Sequence, residues 1–323
     1  MLLHLAALAA AVAEHLSSAN VRDAALCVQR ETKEDEDLEL LPLLLRAATG
    51  RPGIFVEVGA HFEGTQTWLL EKCFNWTGLL IDAHPRNFEK LLSSSRTARK
   101  VNAAVCHPGR NVTMPDWHST SGRLHDLPTP VGSGVVSTLE YTTASYRKTW
   151  GHLVNSTHLF HQPCRGLSEI LAEAGIGEVD FISIDVQGAE EAVLATADLG
   201  TALGGGGPTM FKVVLVEAEA TAMEKNVRVR KMLEDAGMKK LMHTLRKPFH
   251  ASYNELYVRP QLVAQDDPRI SQMNASVYTS GRLESFAQSL QLALDHKRRV
   301  SKFLNGVLNA PDVWTRHGVR SLR

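Results

Sequence analysis

The sequence predicts an α/β protein built on a largely parallel sheet, and three observations carry that expectation. From residue 54 onward, short apolar runs alternate with longer helical patterns, the sequence form of repeated strand and helix units. The runs are continuous rather than alternating, as parallel strands covered on both faces require. The composition is that of an ordinary globular chain, with 323 residues, 44% hydrophobic and 6% aromatic, ample for a sizeable core and for one large domain with appendages or two small ones. Collagen-like, disordered, disulfide-miniprotein and polytopic membrane classes are excluded on the same grounds. Thirty-five basic residues balance 35 acidic ones, which removes the simplest case for nucleic acid, since duplex binding usually shows as a strongly basic domain.

The chain opens on MLLHLAALAAAVA, an apolar run too short for a comfortable membrane span. It has the form of a signal-peptide core, with Ala11-Val12-Ala13 as a small-x-small cleavage pattern, although no Lys or Arg precedes it. An amphipathic first helix continuing through Leu16 is the other reading. Residues 1–19 are therefore read as a signal peptide and 20–49 as a helical, acidic segment containing ETKEDEDLE at Glu31–Glu39, whose carboxylates suit a solvated helix start.

Strands are expected at Ile54–Val58, Gly78–Ile81, Lys100–Val105, Val179–Ile184 and Lys212–Val216, with helices at Thr65–Phe74, Asn87–Leu92 and Leu167–Ala174, the last ending at Gly175. Two further strands, Lys240–Leu245 and Glu255–Val258, flank a loop with Pro248 and close a domain over residues 50–260. His107–Pro163 lacks periodicity, is too long for a bare connection, and reads as an insertion over the carboxyl edge of the sheet. Gly204–Gly207 reads as a loop without a phosphate role, since it does not lie between a strand and a helix start. Beyond Pro260, residues 261–323 form a helical extension, its pattern at Arg282–Leu308 interrupted by a basic His296–Arg299.

Asn-x-Ser/Thr acceptors at Asn75, Asn111, Asn155 and Asn274, with four cysteines, tilt the chain toward the secretory pathway, in the ER or Golgi lumen or outside the cell, with the cytoplasm as the alternative. Cys27, Cys73, Cys106 and Cys164 show no CxxC spacing, which disfavours zinc and leaves disulfides or free thiols open.

The most informative stretch is IFVEVGAHFEGTQT at Ile54–Thr67, followed by GLLIDAHP at Gly78–Pro85. A strand carrying Glu57 reaches Gly59, turns through His61 to Gly64 and enters a helix, so a ligand can approach bare backbone and free amides. The next strand ends in Asp82, where a carboxylate can accept two ribose hydroxyl protons. His61 and Glu63 occupy places where a dinucleotide fingerprint has glycine, and Glu63 would repel a diphosphate. A cofactor with a cationic centre and no phosphate suffers no such penalty, and S-adenosyl-L-methionine fits. In DFISIDVQGAEEAVL the strand delivers Asp185, so Glu57, Asp82, Asp185 and Glu217 are expected to converge as strand-end acids on one crevice.

These blocks, with VNAAVC at Val101–Cys106, LSEILAEAGIGEVDFISIDVQGAEEAVL at Leu167–Leu194 and YNELYVR at Tyr253–Arg259, resemble the FkbM-type S-adenosylmethionine-dependent methyltransferases over roughly residues 50 to 260. The resemblance implies a Rossmann-like class I methyltransferase sheet of seven strands, mostly parallel with the last antiparallel. It places Glu57, Gly59 and Asp82 in the cofactor pocket, Ala104 near the adenine, and Asp185 near the methionine moiety or the acceptor. Gln187, where the family more often has Glu, and His84, where Asn is common, are departures.

The implied reaction is O-methylation of a hydroxylated acceptor such as a glycan or small metabolite. Asp185, then Glu217, or His84 would receive the proton, and no metal, nucleic acid or integral membrane span is expected. Two other classes are a catalytically inactive secreted glycoprotein of the same fold acting through interactions, and an NAD-dependent dehydrogenase.

Overall fold

A computed structural model describes residues 51–61, 66–116, 137–144, 146–147, 155–199, 209–219, 222–246 and 252–262, with single residues and short groups between 27 and 48. The chain divides into two units, and all of these residues belong to Ala11–Ala264. The apolar leader, Glu63 and Gly64, the glycine run Gly204–Gly207, Pro248, Asn274 and the helical pattern Arg282–Leu308 lie outside the described residues.

In chain order the elements are β1 (Ile54–Val58), α1 (Trp68–Phe74), β2 (Thr77–Asp82), α2 (Pro85–Leu92), β3 (Arg99–Asn102), β4 (Ala104–Val105), β5 (Asn111–Asp116) and β6 (Asn155–Arg165). They continue with α3 (Leu167–Glu173), β7 (Glu178–Ile184), α4 (Glu190–Leu194), β8 (Met210–Glu219), α5 (Met223–Asp235), β9 (Lys239–Arg246) and β10 (Ser252–Val258), then a short 3-10 turn at Pro260–Leu262. Seven strands form one sheet in the order β3-β2-β1-β7-β8-β10-β9. All neighbours are parallel except that β10 runs antiparallel to both β8 and β9. This is the expected class I methyltransferase sheet, with its last strand in sequence antiparallel and inserted one place in from the edge.

The central strands carry Val56, Val58, Leu79, Ile81, Ile182, Ile184, Val214 and Val216 into one core, and β-branched side chains pack well on such a pleated surface. Helix α3 presents Leu167, Ile170 and Leu171 to it, the i, i+3, i+4 stripe of an amphipathic helix. Gly175 follows with φ 70, the left-handed step that ends a helix most cheaply at glycine.

At the amino end of the sheet Asp180 is fully buried. Its carboxylate accepts from Arg51 (2.9 Å), Lys212 (2.7 Å) and the amide of Ile54 (2.8 Å), and Lys212 also donates to the Ala47 carbonyl at 3.0 Å. The preceding segment is thereby tied to β1, β7 and β8.

Three sequence expectations are corrected. The single strand Lys100–Val105 is two, because the chain leaves the large sheet after Asn102 and joins a second sheet at Ala104. That second sheet, ordered β4-β6-β5, takes residues 111–116 and 155–163 of the insertion, where the sequence shows no periodicity, into strands. Strand β8 runs past Val216 to Glu219, so Glu217 lies within a strand, opposite Asn254 of β10. The open question of the cysteines is answered by two disulfides, Cys27–Cys73 and Cys106–Cys164.

Candidate active site

The sheet register gathers the site. Val58 is level with Ile81 and Ile184, and Ile184 with Val216, so the next residues, Gly59, Asp82, Asp185 and Glu217, form a row across the carboxyl edge on one face. Glu57 lies on that same face two residues earlier in β1. Three of the four acids therefore share a level and Glu57 sits one repeat below, a correction to their expected convergence at strand ends.

The turn after β1 is held on both limbs. On the entry limb the amides of Gly59 and Ala60 donate to the Ile81 carbonyl at 2.9 and 3.0 Å, and that of His61 donates to Asp82 Oδ2 at 2.8 Å. Gly59 has φ 85, and a Cβ there would lie 1.8 Å from the Asp185 carbonyl oxygen. Its glycine is thus demanded by the β1–β7 approach, a reason independent of any ligand. On the return limb the amides of Gln66 and Thr67 donate to Glu57, and the Ser183 hydroxyl of β7 donates to Gln66 Oε1. Burial pushes the Glu57 carboxyl above its ordinary range, while Arg96 and the Thr67 hydroxyl pull against that shift.

Asp82 is buried at the end of β2. Its Oδ1 accepts the His84 amide at 2.9 Å and its Oδ2 the His61 amide, so it ties the β1 turn to the entrance of α2. Burial raises its pKa to about 6 against the pull of those two amides. An ionised carboxylate has about four acceptor directions, so two amides leave one on each oxygen. That pair of acceptor positions fits the two hydroxyls of a ribose, which would donate.

His84 occupies the N-cap position of α2 without a side-chain cap. Its ring is buried against Phe160 of β6, edge to face, with centroids 5.2 Å apart. Ala104 is buried in one cluster with the Cys106–Cys164 pair, and Ala83, the neighbour of Asp82, packs against that cluster. Asn102, which the sequence reading did not single out, donates to the carbonyls of Asp82 (2.8 Å) and Ala83 (3.2 Å) and accepts from Gln162 of β6 at 3.0 Å. The second sheet therefore braces the end of β2. The position of Asn102 inside VNAAVC was the signal that could have found it.

Asp185 is half-buried, and Gln187 donates to its Oδ1 at 2.7 Å. The following Gly188 has φ 117 and would place a Cβ 2.5 Å from the Tyr141 carbonyl oxygen, while the Ser137 hydroxyl donates to the Gln187 carbonyl at 2.7 Å. Residues 137–141 of the insertion thus lie over the turn after β7, at the carboxyl edge. Beside it Lys225 meets Glu190 and Glu219. Burial works against its charge, but those acids and Glu217 outweigh it and hold its pKa above the usual lysine value. Glu217 is itself buried. Among the described residues no group of His, Cys, Asp and Glu could hold a metal ion.

A seven-stranded, mostly parallel sheet with its last strand antiparallel, a glycine turn after its first strand and an acid closing its second has the Rossmann-like architecture of the class I methyltransferases. Residues 57–240 match the family model of the methyltransferase FkbM domain, and the chain belongs to that family. No curated protein matches it in sequence. Among solved structures it is similar to the precorrin-6y C5,15-methyltransferase of Geobacter metallireducens (13% identity, covering 70% of this chain and 87% of that one, TM-score 0.33). It is also similar to the magnesium protoporphyrin IX methyltransferase of Synechocystis with bound S-adenosylmethionine (10%, 76% and 85%, 0.34). A third is the fibrillarin pre-rRNA processing protein of Methanococcus jannaschii (12%, 65% and 67%, 0.33).

Proposed function

We propose that the protein methylates a hydroxyl oxygen of an acceptor such as a glycan or small metabolite, and that it works in the secretory pathway. The observation that carries the chemistry is the row Gly59, Asp82, Asp185 on one face of the sheet edge. Bound S-adenosylmethionine supplies a methyl group on a sulfonium, open to in-line displacement, so the chain's task is chiefly positioning. Asp82 would hold the ribose, and the turn after β1 would pass beside the rest of the cofactor. As the oxygen–methyl bond forms and the methyl–sulfur bond breaks, the acceptor proton must leave, and a positioned histidine or carboxylate within hydrogen-bond reach can receive it. Of the three candidate bases, His84 and Glu217 are each 3% exposed, whereas Asp185 keeps solvent access and is oriented by Gln187. We assign it the proton.

The compartment is supported by two disulfides and by the exposure of Asn75 and Asn111 in their acceptor motifs. Among the described residues no helix is long and apolar enough to cross a membrane. The test is incubation with methyl-labelled S-adenosylmethionine and panels of glycans and small hydroxylated metabolites. Label in an ether linkage is expected. No affinity for the cofactor by calorimetry would overturn the reading and leave an interaction protein of the same fold.

A further inference from the structure

We infer that Arg96, in the segment between α2 and β3, is a positioning residue that sets the return limb of the cofactor turn through Thr67 and Glu57. The inference rests on the methyltransferase reading of that turn. The Arg96 side chain is 1% exposed. Its Nε donates to Glu71 Oε2 at 2.7 Å and its Nη2 to the Thr67 hydroxyl at 2.6 Å. The Thr67 hydroxyl donates onward to Glu57 Oε2 at 2.5 Å, and Arg96 Nη1 lies 3.9 Å from that same oxygen. The rings of Phe55 and Trp68 flank the guanidinium at 5.6 and 5.8 Å.

The relay has a fixed direction. Arg96 can only donate, so the Thr67 oxygen accepts from it and must turn its own proton to Glu57. Glu57 then takes the amides of Gln66 and Thr67, the residues that lead the turn into α1. Two buried carboxylates, Glu57 and Glu71, are compensated by this guanidinium, and Glu71 is held in turn by the Thr97 amide at 2.5 Å. A lysine would bring a point charge without the planar fork that meets Glu71 and Thr67 together. Core filling alone would not need a cation, because a buried charge is costly unless paired.

The experiment titrates wild type, Arg96→Lys, Arg96→Met and Thr67→Val with S-adenosylmethionine and with adenosine, alongside thermal unfolding without ligand. On the cofactor reading adenosine would engage Asp82 on the entry limb but lacks the amino-acid tail, which we assign to the side of the return limb. Arg96→Met is expected to weaken S-adenosylmethionine about tenfold or more while adenosine stays within about threefold, with Thr67→Val intermediate and Arg96→Lys partly restored. Equal losses for both ligands, or wild-type cofactor affinity in Thr67→Val and Arg96→Lys, would overturn the inference. If Arg96→Met does not fold, the other two variants decide it. A wild type that binds neither ligand would instead sink the cofactor reading beneath it.

Discussion

Both oxygens of Asp82 accept a backbone amide, from His61 and His84, and each keeps an acceptor direction for a ribose hydroxyl. Ribose binding needs the ionised form, and burial raises the pKa to about 6. Cofactor affinity is therefore expected to fall as pH drops through about 6, which calorimetric titrations between pH 5 and 8 would follow. Stability moves the other way. The folded-state value lies above the ordinary 3.8, so this group's contribution to stability is fully present below that ordinary value and is lost as pH rises through the folded one. Cofactor affinity that holds steady from pH 8 to 5, or an Asp82→Asn variant that keeps the wild-type pH dependence, would contradict the assignment. At Asp185 the prediction is kinetic. Asp185→Asn keeps the shape and the Ser137–Gln187 contact but removes the proton acceptor, so turnover should fall about 100-fold to 10,000-fold while cofactor affinity changes little. Single-turnover assays with an acceptor from the labelled screen would separate the two.

At the scale of elements, the turn after β1 stands on two supports of different legibility. The large sheet was readable because its central strands are largely apolar, as in Val213 to Val216, and because Gly59 and Asp82 stand where chain geometry needs them. The second sheet was not. Strand β6 reads NSTHLFHQPCR, mixing polar, aromatic and proline residues without alternation, since its partners are two short strands rather than a wide sheet. Arg96 was silent for a related reason. It stands in a Ser-rich loop whose composition says nothing of the buried carboxylates it meets. Glu217 was misplaced because the apolar run stops at Val216 while the strand, paired with β10, continues. The second sheet is pinned by Cys106–Cys164 and touches the site through Gln162 and Asn102. Replacing both cysteines by alanine should cost about 2–4 kcal/mol in denaturant unfolding. It should also weaken the cofactor, because the brace on the end of β2 loosens. Cofactor affinity unchanged in the face of that destabilisation would show that the sheet supports the fold alone.

For the whole molecule, the disulfides and the glycosylation motifs make one claim about where the chain folds. Cys27–Cys73 joins the N-terminal segment to α1, a separation of 46 residues, and Cys106–Cys164 closes 58. Neither bond persists readily in a reducing compartment. Asn75 is exposed at the left-handed C-cap of α1 and Asn111 is exposed at the start of β5, an outer strand of the small sheet. Both side chains can therefore carry a bulky, solvated glycan without disturbing a core. Chain expressed with its own N-terminus in a secretory host should lose mass on endoglycosidase treatment, with Asn75→Gln and Asn111→Gln each removing a share of the shift. The same material should show no thiol reactive to alkylation when unfolded without reductant, and four after reduction, since no cysteine is free among the described residues. Unglycosylated chain with four reactive thiols from that host would place the protein in the cytoplasm. The candidate acceptors would then narrow to intracellular metabolites, because luminal glycans would never meet the site.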